Sequence, residues 1–359
     1  MKDMVEIMNS KVVVMKTSPR SVLEDIGRLM READYEKALP KSARTILKLN
    51  LSWSLFFPAC STSPWQLEGV AKTMREDGYA PIAMENKTVV TDPWKGAKNN
   101  KWLPILDKYG IPFKPLTDVE WVEYKPKREL LVLDKKVFPE GVKIPKDFIG
   151  SNVLHLPTMK THGHTQMTGS MKNAFGGLLK EARHHCHRYI HDVLVDLLTI
   201  QKEIHRGIFT VMDGTVCGNG AGPRTMIPVI GNYLLASEDS VAIDAIAAKM
   251  MGFDPMQIKF IKTAHDMGLG CGDVAQIDVV GENISNVNFH FTTKKSPVIF
   301  FDQLFRHSFV EPLLFKTWFF NFCILGSALY HDNLWYPIKG RKFVNDFKKT
   351  EWGKLWEKY

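Results

Sequence analysis

The chain has 359 residues, of which 45% are hydrophobic, 24% charged and 11% aromatic. Its 47 lysines and arginines outnumber its 39 acidic residues, which gives a formal charge of +8. These proportions are typical of a globular protein and exclude disordered, collagen-like and disulfide-scaffold chains. The length predicts one large or two modest domains. The positive charge is compatible with nucleic acid, a membrane surface or an anionic small molecule, and it selects none of them.

Cysteine usage and the first residues predict a cytoplasmic protein. Five cysteines are scattered along the chain without C-x-x-C spacing, so neither a disulfide framework nor a zinc ribbon is expected. Residues 1–10 contain no apolar h-region and predict no secretory signal.

In chain order, the hydrophobic patterns alternate between strand and helix. Strands are predicted over residues 11–16, 45–52, 80–84, 130–133, 152–156, 207–212, 232–236 and 276–280. Helices are predicted over residues 21–35, 64–78, 170–179, 192–204 and 239–251, with loops over 157–169 and 213–223. This alternation predicts an α/β fold with a mixed, mostly parallel sheet and helices on both faces.

The composition changes after residue 297. Residues 298–330 hold ten aromatic residues, eight of them phenylalanine, and residues 331–359 carry seven lysines and arginines against four acidic residues. The stretch 313–330 is interrupted by Lys316 and Asn321, so a bilayer-spanning helix is not expected. We therefore predict an α/β domain over residues 1–297 and an aromatic and basic C-terminal segment over 298–359. That segment packs either on the core or against a membrane surface.

The densest polar cluster follows the predicted strand 152–156. It contains Lys160, His162, His164, Lys172 and Asn173. Ligands bind at this edge of α/β sheets, where side chains converge and helix N-termini offer free N–H groups. The cluster predicts an anion site with Lys160 and Lys172 on the anion and His162 as acid or base. The alternative is a solvated basic loop.

A histidine-rich run over residues 183–191 comes next. If the run is helical, His184, His187 and His191 share one face, and His187 and His191 have the i, i+4 spacing of a metal-chelating pair. The H-E-x-x-H pattern of zincins is missing. Two interpretations stay open: a divalent metal on His187 and His191, or anion binding by Arg183 with a single histidine.

Two carboxylates and one strand end complete the candidate site. Asp213 opens a Gly-rich segment that lacks the Lys-Ser/Thr of a P-loop, so the segment is either a ligand-lining loop or a plain turn. Asp244 lies in an apolar helix, where a buried carboxylate needs a partner. Lys48 and Asn50 place polar groups at the end of an apolar strand. We predict that Asp213 and Asp244 hold the lysines or the histidine in position, with Asp213 among the catalytic groups.

Six motifs, in this order, resemble the family known as domain of unknown function 362. They are residues 48–51, 156–162, 168–176, 213–214 with 220–223, 236–244 and 268–270, and the resemblance spans about residues 11–281. It implies a prokaryotic α/β domain, often associated with a ferredoxin-like iron–sulfur module. The C-x₂-C-x₂-C-x₃-C run of such modules is missing, so no intrinsic iron–sulfur cluster is expected. A separate ferredoxin-type electron donor is the partner that redox chemistry would then require.

These observations predict a cytoplasmic enzyme that binds a small anionic substrate at the strand ends. Its reaction is either acid/base catalysis or a reduction with an external electron donor, and the family's redox associations favour an oxidoreductase. The predicted catalytic residues are Lys160, His162, Lys172 and Asp213. The predicted substrate-binding residues are Lys48, Asn50, His164, Asn173, Arg183 and Asp244.

Two alternatives come from different classes of function. One is a metal-dependent enzyme with a divalent ion near His162, His187 and Asp213. The other is a non-enzymatic, peripheral membrane protein anchored by its C-terminal segment. Nucleic acid is not an expected partner, because the basic residues are scattered and no recognition motif is present.

Overall fold

A computed structural model describes residues 10–88, 90–306, 308–315 and 317–359, without the side chains of residues 181 and 182. The absence of a secretory signal was predicted mainly from residues 1–9, which lie outside these ranges. Lys316, one of the two residues that interrupt the apolar stretch 313–330, also lies outside the described ranges.

The strands and helices alternate through most of the chain, as the sequence predicts. The strands are β1 (Lys11–Lys16), β2 (Thr45–Lys48), β3 (Ile82–Glu85), β4 (Phe113–Pro115), β5 (Trp121–Tyr124), β6 (Val142–Pro145), β7 (Asn152–His155), β8 (Thr158–His162), β9 (Gln166–Met167), β10 (Gly207–Ala221), β11 (Thr225–Ser237) and β12 (Asp278–Gly281). The α-helices are α1 (Val22–Glu32), α2 (Tyr35–Ala38), α3 (Pro64–Glu76), α4 (Pro93–Asn99), α5 (Trp102–Lys108), α6 (Ser170–Leu178), α7 (Ile190–Ile204), α8 (Ser240–Met251), α9 (Lys259–Asp266), α10 (Pro297–Arg306), α11 (Glu311–Phe315), α12 (Phe320–Ala328), α13 (Arg341–Lys348) and α14 (Glu351–Glu357). A 3₁₀-helix covers Glu181–Tyr189, and a π-helical segment covers Leu329–Gly340.

One large, mostly parallel sheet organises the fold. Its strand order is β12-β1-β11-β10-β7-β2-β3-β4, with β8 beside β10 and β9 beside β8. Strand β11 is antiparallel to β1 and β10, β9 is antiparallel to β8, and the remaining pairs of this sheet are parallel. A separate antiparallel pair joins β5 and β6. The α/β class with a mixed, mostly parallel sheet is confirmed.

Helices cover both faces of the sheet. Because side chains alternate along a strand, Val12 and Val14 of β1 pack into one buried apolar cluster and Val13 and Met15 into the other. The first cluster takes residues from α6, α7, α8 and α9, and the second takes residues from α1, α3 and α5. Helix α3 begins as its sequence predicts: Ser63 accepts the N–H of Gln66 at 3.2 Å, and Pro64 is the first helical residue.

The sequence predicted two segments as loops that the structure forms as strands. Residues 157–169 contain β8 and β9, and the Gly-rich segment 213–221 continues β10. Gly218 makes the second case possible, because a Cβ there would lie 2.4 Å from Met226 Sδ and 3.1 Å from Lys160 Cβ. Gly218 therefore serves close strand packing instead of a turn.

Two further segments differ from their predicted form. Residues 130–133 are not a strand, because the backbone N–H groups of Leu131, Val132 and Leu133 donate to the buried carboxylate of Asp196. The histidine-rich run is a 3₁₀-helix up to Tyr189, followed by α7 from Ile190, so it is not the single α-helix on which the common face of three histidines was predicted.

The end of the C-terminal segment packs on the second apolar cluster. Val344 and Phe347 of α13 and Trp352 and Trp356 of α14 are buried there. Among the described residues, no helix is both long enough and apolar enough to cross a membrane. The domain boundary after residue 297 stays a prediction.

Candidate functional site

The site starts where parallel strands β2, β3 and β7 end. Lys48, the last residue of β2, is in register with Met84 of β3 and His155 of β7. Its Nζ lies 2.9 Å from Oε2 of Glu85, at the end of β3, and both side chains are buried. Parallel strands bring their carboxyl ends to one edge, and this edge holds a buried ion pair.

Helix α6 fits closely around the Lys48 side chain. A Cβ at Gly176 would lie 3.3 Å from Lys48 Nζ, and one at Gly177 would lie 3.2 Å from Lys48 Cε. Asn173 donates from Nδ2 to the Lys48 carbonyl at 2.9 Å and contacts Asn50 at 3.4 Å. The glycines and the amide of this helix therefore fix the position of the lysine.

Asp244 holds the N-terminus of α6. Its carboxylate accepts the backbone N–H groups of Ser170 at 2.6 Å and Met171 at 3.1 Å. Gly169 permits this approach, because a Cβ there would lie 2.1 Å from Asp244 Oδ1. Burial raises the pKa of Asp244 to about 7, while the two N–H groups act in the opposite direction. Asp244 is thus a positioning residue for the helix that carries Lys172 and Asn173.

Lys160 of β8 is buried and connects this strand to the loop that follows β2. Its Nζ donates to Asn50 Oδ1 at 2.6 Å, to Ser52 Oγ at 3.1 Å and to the Cys60 carbonyl. Burial lowers the pKa of Lys160 to about 8. The ammonium group holds the Asn50–Cys60 loop to β8, and the side chain lies outside the cavity wall described next.

A cavity of about 550 Å³ opens above the strand ends. Its floor, formed by the strand ends and α6, consists of Lys48, Asn50, Glu85, His162, Lys172 and Asn173. Its roof, formed by α10, α11, α12 and residues 330 and 331, is mainly apolar. In the part of the chain that the structure describes, the wall carries five basic side chains against two carboxylates, namely Lys48, Lys172, Arg183, Arg224 and Arg306 against Glu85 and Asp302. This excess of positive charge suits an anionic ligand.

Lys172 lines the floor of the cavity. Among the residues that the structure describes, none accepts a hydrogen bond from its Nζ, which lies 5.2 Å from the centre of the Phe175 ring. Burial, followed by the charges of Lys160 and Arg183, lowers the pKa of Lys172 to about 7. Near neutral pH this amine is therefore divided between its neutral and protonated forms.

His162 faces the same cavity as a neutral imidazole. Its Nδ1 accepts the backbone N–H of His164 at 3.1 Å, which places the ring proton on Nε2. Burial and the nearby charge of Lys172 hold the pKa of His162 well below its ordinary value. This tautomer makes the ring a hydrogen-bond donor and leaves it without a free basic nitrogen.

His164 joins the floor to the roof. Its Nε2 lies 3.6 Å from Asp302 of α10, whose carboxylate also binds Arg306 at 2.8 Å. The His187 ring stacks on His164, with ring centres 4.8 Å apart. The nearest ligand atoms of His164, His187 and Asp302 all lie within 4.8 Å of one another. Two imidazoles and a carboxylate are donors that divalent transition metals accept.

That cluster keeps His187 of the predicted metal residues and joins it to His164 and Asp302. His191 is not part of this cluster; its ring hydrogen bonds to the backbone of His164 and lies 5.9 Å from the ring of Phe260. Asp213 also lies elsewhere: it is buried and accepts hydrogen bonds from Ser63 Oγ and from the backbone and hydroxyl of Thr215. These contacts make Asp213 a structural residue between β10 and α3.

The structure brings together most of the predicted binding residues. Lys48, Asn50, His162, His164, Lys172, Asn173, Arg183 and His187 line the cavity, whereas Lys160, Asp213, His191 and Asp244 do not. Sequence reasoning missed Glu85, Arg224, Asp302 and Arg306. Only Glu85 had a local signal, as an acidic residue at the end of a buried strand. The other three reach the site through long-range packing.

The chain is similar in sequence to a known protein family and to a protein of Synechocystis sp.. The sequence profile of a family described as "Domain of unknown function (DUF362)" matches residues 45–249, which include the floor. The thylakoid-associated protein sll1697 of Synechocystis sp. is 26% identical over 262 residues, which cover 70% of this chain and 74% of that protein. No solved structure matches.

Proposed function

Since the chain belongs to the DUF362 family, whose description names no reaction, we propose a function from the cavity itself. The protein is an enzyme that binds a small anionic substrate at the carboxyl ends of β2, β3 and β7. Lys172 transfers the proton in the reaction. The observation that carries this proposal is the Lys172 amine, which faces a cationic cavity without a hydrogen-bond partner among the described residues.

The floor residues have different roles in the proposed reaction. Lys172, with a pKa of about 7, accepts a proton as the free amine and returns it as the ammonium ion. His162 donates from Nε2 to an anionic oxygen. Asn50 and Asn173 orient polar groups, and the Lys48–Glu85 pair adds a fixed dipole beneath them. The same set serves proton-coupled reduction by a separate ferredoxin-type donor, which is the oxidoreductase version of this proposal.

Competitive labelling of lysines with acetic anhydride tests the proposal. Because only the free amine reacts, the labelled fraction of Lys172, measured by mass spectrometry across pH 5–10, reports its protonation. We expect a midpoint near pH 7, against about 10.4 for a free lysine. Inorganic phosphate should raise this midpoint, because a bound anion stabilises the ammonium form.

Lys262, which is exposed on α9, gives the reference labelling in the same digests. Lys172→Arg keeps the charge and removes the titration, so phosphate should still bind this variant. A Lys172 midpoint that phosphate leaves unchanged would contradict the proposed anion site.

A second candidate function is association with a membrane surface. Large apolar side chains are exposed along α10–α12, namely Phe300, Leu304, Phe309, Leu313, Trp318, Phe322 and Leu325. Such patches are uncommon on monomeric soluble proteins and mark interaction surfaces. The chain after residue 330 adds seven cations against four anions, which suits an anionic bilayer. The name of the Synechocystis relative, a thylakoid-associated protein, is in line with this candidate.

Co-sedimentation with phosphatidylglycerol vesicles tests the membrane candidate. We expect the double variant Trp318→Ser, Phe322→Ser to bind at least about tenfold more weakly, because each lost apolar side chain removes over about 1 kcal/mol of transfer free energy. Trp94→Ser is the control, since Trp94 is also at least half exposed but lies on α4. Equal binding of all three proteins would rule out this surface as the anchor.

A further inference from the structure

We infer that the ligand of the cavity is an amphiphile with an anionic head and a hydrocarbon chain. The head, a phosphate or a carboxylate, lies at the floor beside Lys172 and His162, and the chain lies against the roof. This inference rests on the proposed anion site and adds the class of molecule that the site accepts.

The roof supplies the first argument. Its lining side chains are predominantly apolar, namely Phe301, Phe305, Phe315, Phe320, Ile324 and Tyr330. A small hydrophilic anion at the floor would leave this surface in contact with water. A hydrocarbon chain would cover it, and the apolar contact would add to the affinity. The volume of about 550 Å³ is within the range of about 300–1,000 Å³ typical of small-molecule sites.

The two charged side chains that α10 contributes to the roof pair with each other. Asp302 and Arg306 bind each other at 2.8 Å, and the Arg306 guanidinium lies 4.0 Å from the centre of the Phe315 ring. Their charges are therefore engaged with each other and with an aromatic face. Lys172 lines the floor, and among the described residues none accepts a hydrogen bond from its amine. Most of the apolar side chains that line the cavity belong to the roof, where Arg224 also donates to Ser327 of α12 at 3.1 Å.

Helix α10 is apolar on the outside as well. Phe301 lines the cavity and is half exposed, which places it at the opening. Phe300 and Leu304, beside it on the same helix, are also half exposed and do not line the cavity. A hydrocarbon chain that enters past Phe301 would stay in contact with apolar side chains along its path.

Isothermal titration of the full chain with inorganic phosphate and with n-butyl, n-hexyl and n-octyl phosphate tests the inference. All ligands are kept below their micelle concentrations. We expect the affinity to rise roughly fourfold with each added methylene, the gain from burying that group. Octyl glucoside, which has the same chain without an anionic head, should bind at least about tenfold more weakly than octyl phosphate.

The outcomes separate this inference from the proposed function. If all four phosphates bind with one affinity, the anion site stands and the amphiphile is wrong. If octyl glucoside binds as well as octyl phosphate, the head is not recognised and the inference also fails. If no phosphate binds and the Lys172 labelling midpoint does not move, the proposed function itself is wrong.

A pair of variants on one helix locates the chain. Phe305→Ser, in the cavity wall, should reduce the gain per methylene while leaving the affinity for inorganic phosphate unchanged. Phe300→Ser, on the outer face of α10, should leave both unchanged. Equal gains per methylene in the two variants would overturn the placement of the chain at the roof.

Discussion

Nζ of Lys48 lies 2.9 Å from Oε2 of Glu85, and the two side chains are 1% and 3% exposed. Taking two charges out of water is costly, and their attraction offsets that cost only when both are present. This pair also fixes the floor of the cavity, since Lys48 is enclosed by Gly176 and Gly177 of α6. The ion pair therefore couples the stability of the sheet edge to the shape of the site.

We predict that Glu85→Gln destabilises the fold by about 3–5 kcal/mol, because it leaves the Lys48 charge buried without its partner. The double variant Lys48→Met, Glu85→Gln should lose less than the single one. Urea denaturation measures both. The exposed pair Lys262–Asp266 is the control, and Asp266→Asn should cost less than about 1 kcal/mol. Equal losses at Glu85 and Asp266 would contradict the burial argument.

Lys172 should make stability depend on pH. Burial lowers its pKa to about 7 in the folded state, against about 10.4 in the unfolded chain. Between these values the unfolded state binds more protons, so the contribution of Lys172 to the free energy of unfolding rises with pH. Lys172→Met should therefore be more stable than the wild type below pH 7, by over about 1.4 kcal/mol, the equivalent of one pKa unit. Thermal denaturation from pH 6 to 10 should show this advantage disappear, and a constant difference would contradict the lowered pKa.

Asp213 should matter for stability and not for ligand binding. Its carboxylate accepts hydrogen bonds from Ser63 and Thr215 and lies outside the cavity. Asp213→Ala should lower the free energy of unfolding by about 2–4 kcal/mol, since buried donors lose a charged acceptor. The effect of phosphate on Lys172 labelling should persist in the folded variant. Loss of that effect without loss of stability would return Asp213 to the catalytic groups.

Replacing two tryptophans of the C-terminal segment by alanine should have different effects on stability. Trp352 is 2% exposed and donates from its indole to Asn232 at 2.7 Å, whereas Trp318 is 62% exposed. Trp352→Ala should cost about 3–5 kcal/mol in urea denaturation, as expected for a large side chain removed from a core. Trp318→Ala should change the free energy of unfolding by less than about 0.5 kcal/mol. Similar effects would show that α14 does not contribute to the core.

Local patterns of sequence were enough to predict much of the fold. Strand β1 covers Lys11–Lys16 as predicted, and α3 begins after Ser63 at Pro64. Periodicity and capping depend on neighbouring residues, so they can be read directly from the sequence. The role of Gly218 in β10 was predicted wrongly because it depends on Met226 and Lys160, which approach from other strands.

The sequence by itself determined the α/β class, the family resemblance and most of the polar floor, because the floor residues follow the strands that position them. Only the tertiary structure decided which polar groups face the cavity. Lys160 is buried and donates to Asn50, Ser52 and Cys60, so its role is structural. Lys172 instead lines the cavity. The roof could not be predicted from the sequence either, because Asp302 contacts His164 only when α10 packs across the sheet edge. Contacts between residues far apart in the sequence leave no local pattern, so the fold alone decides them.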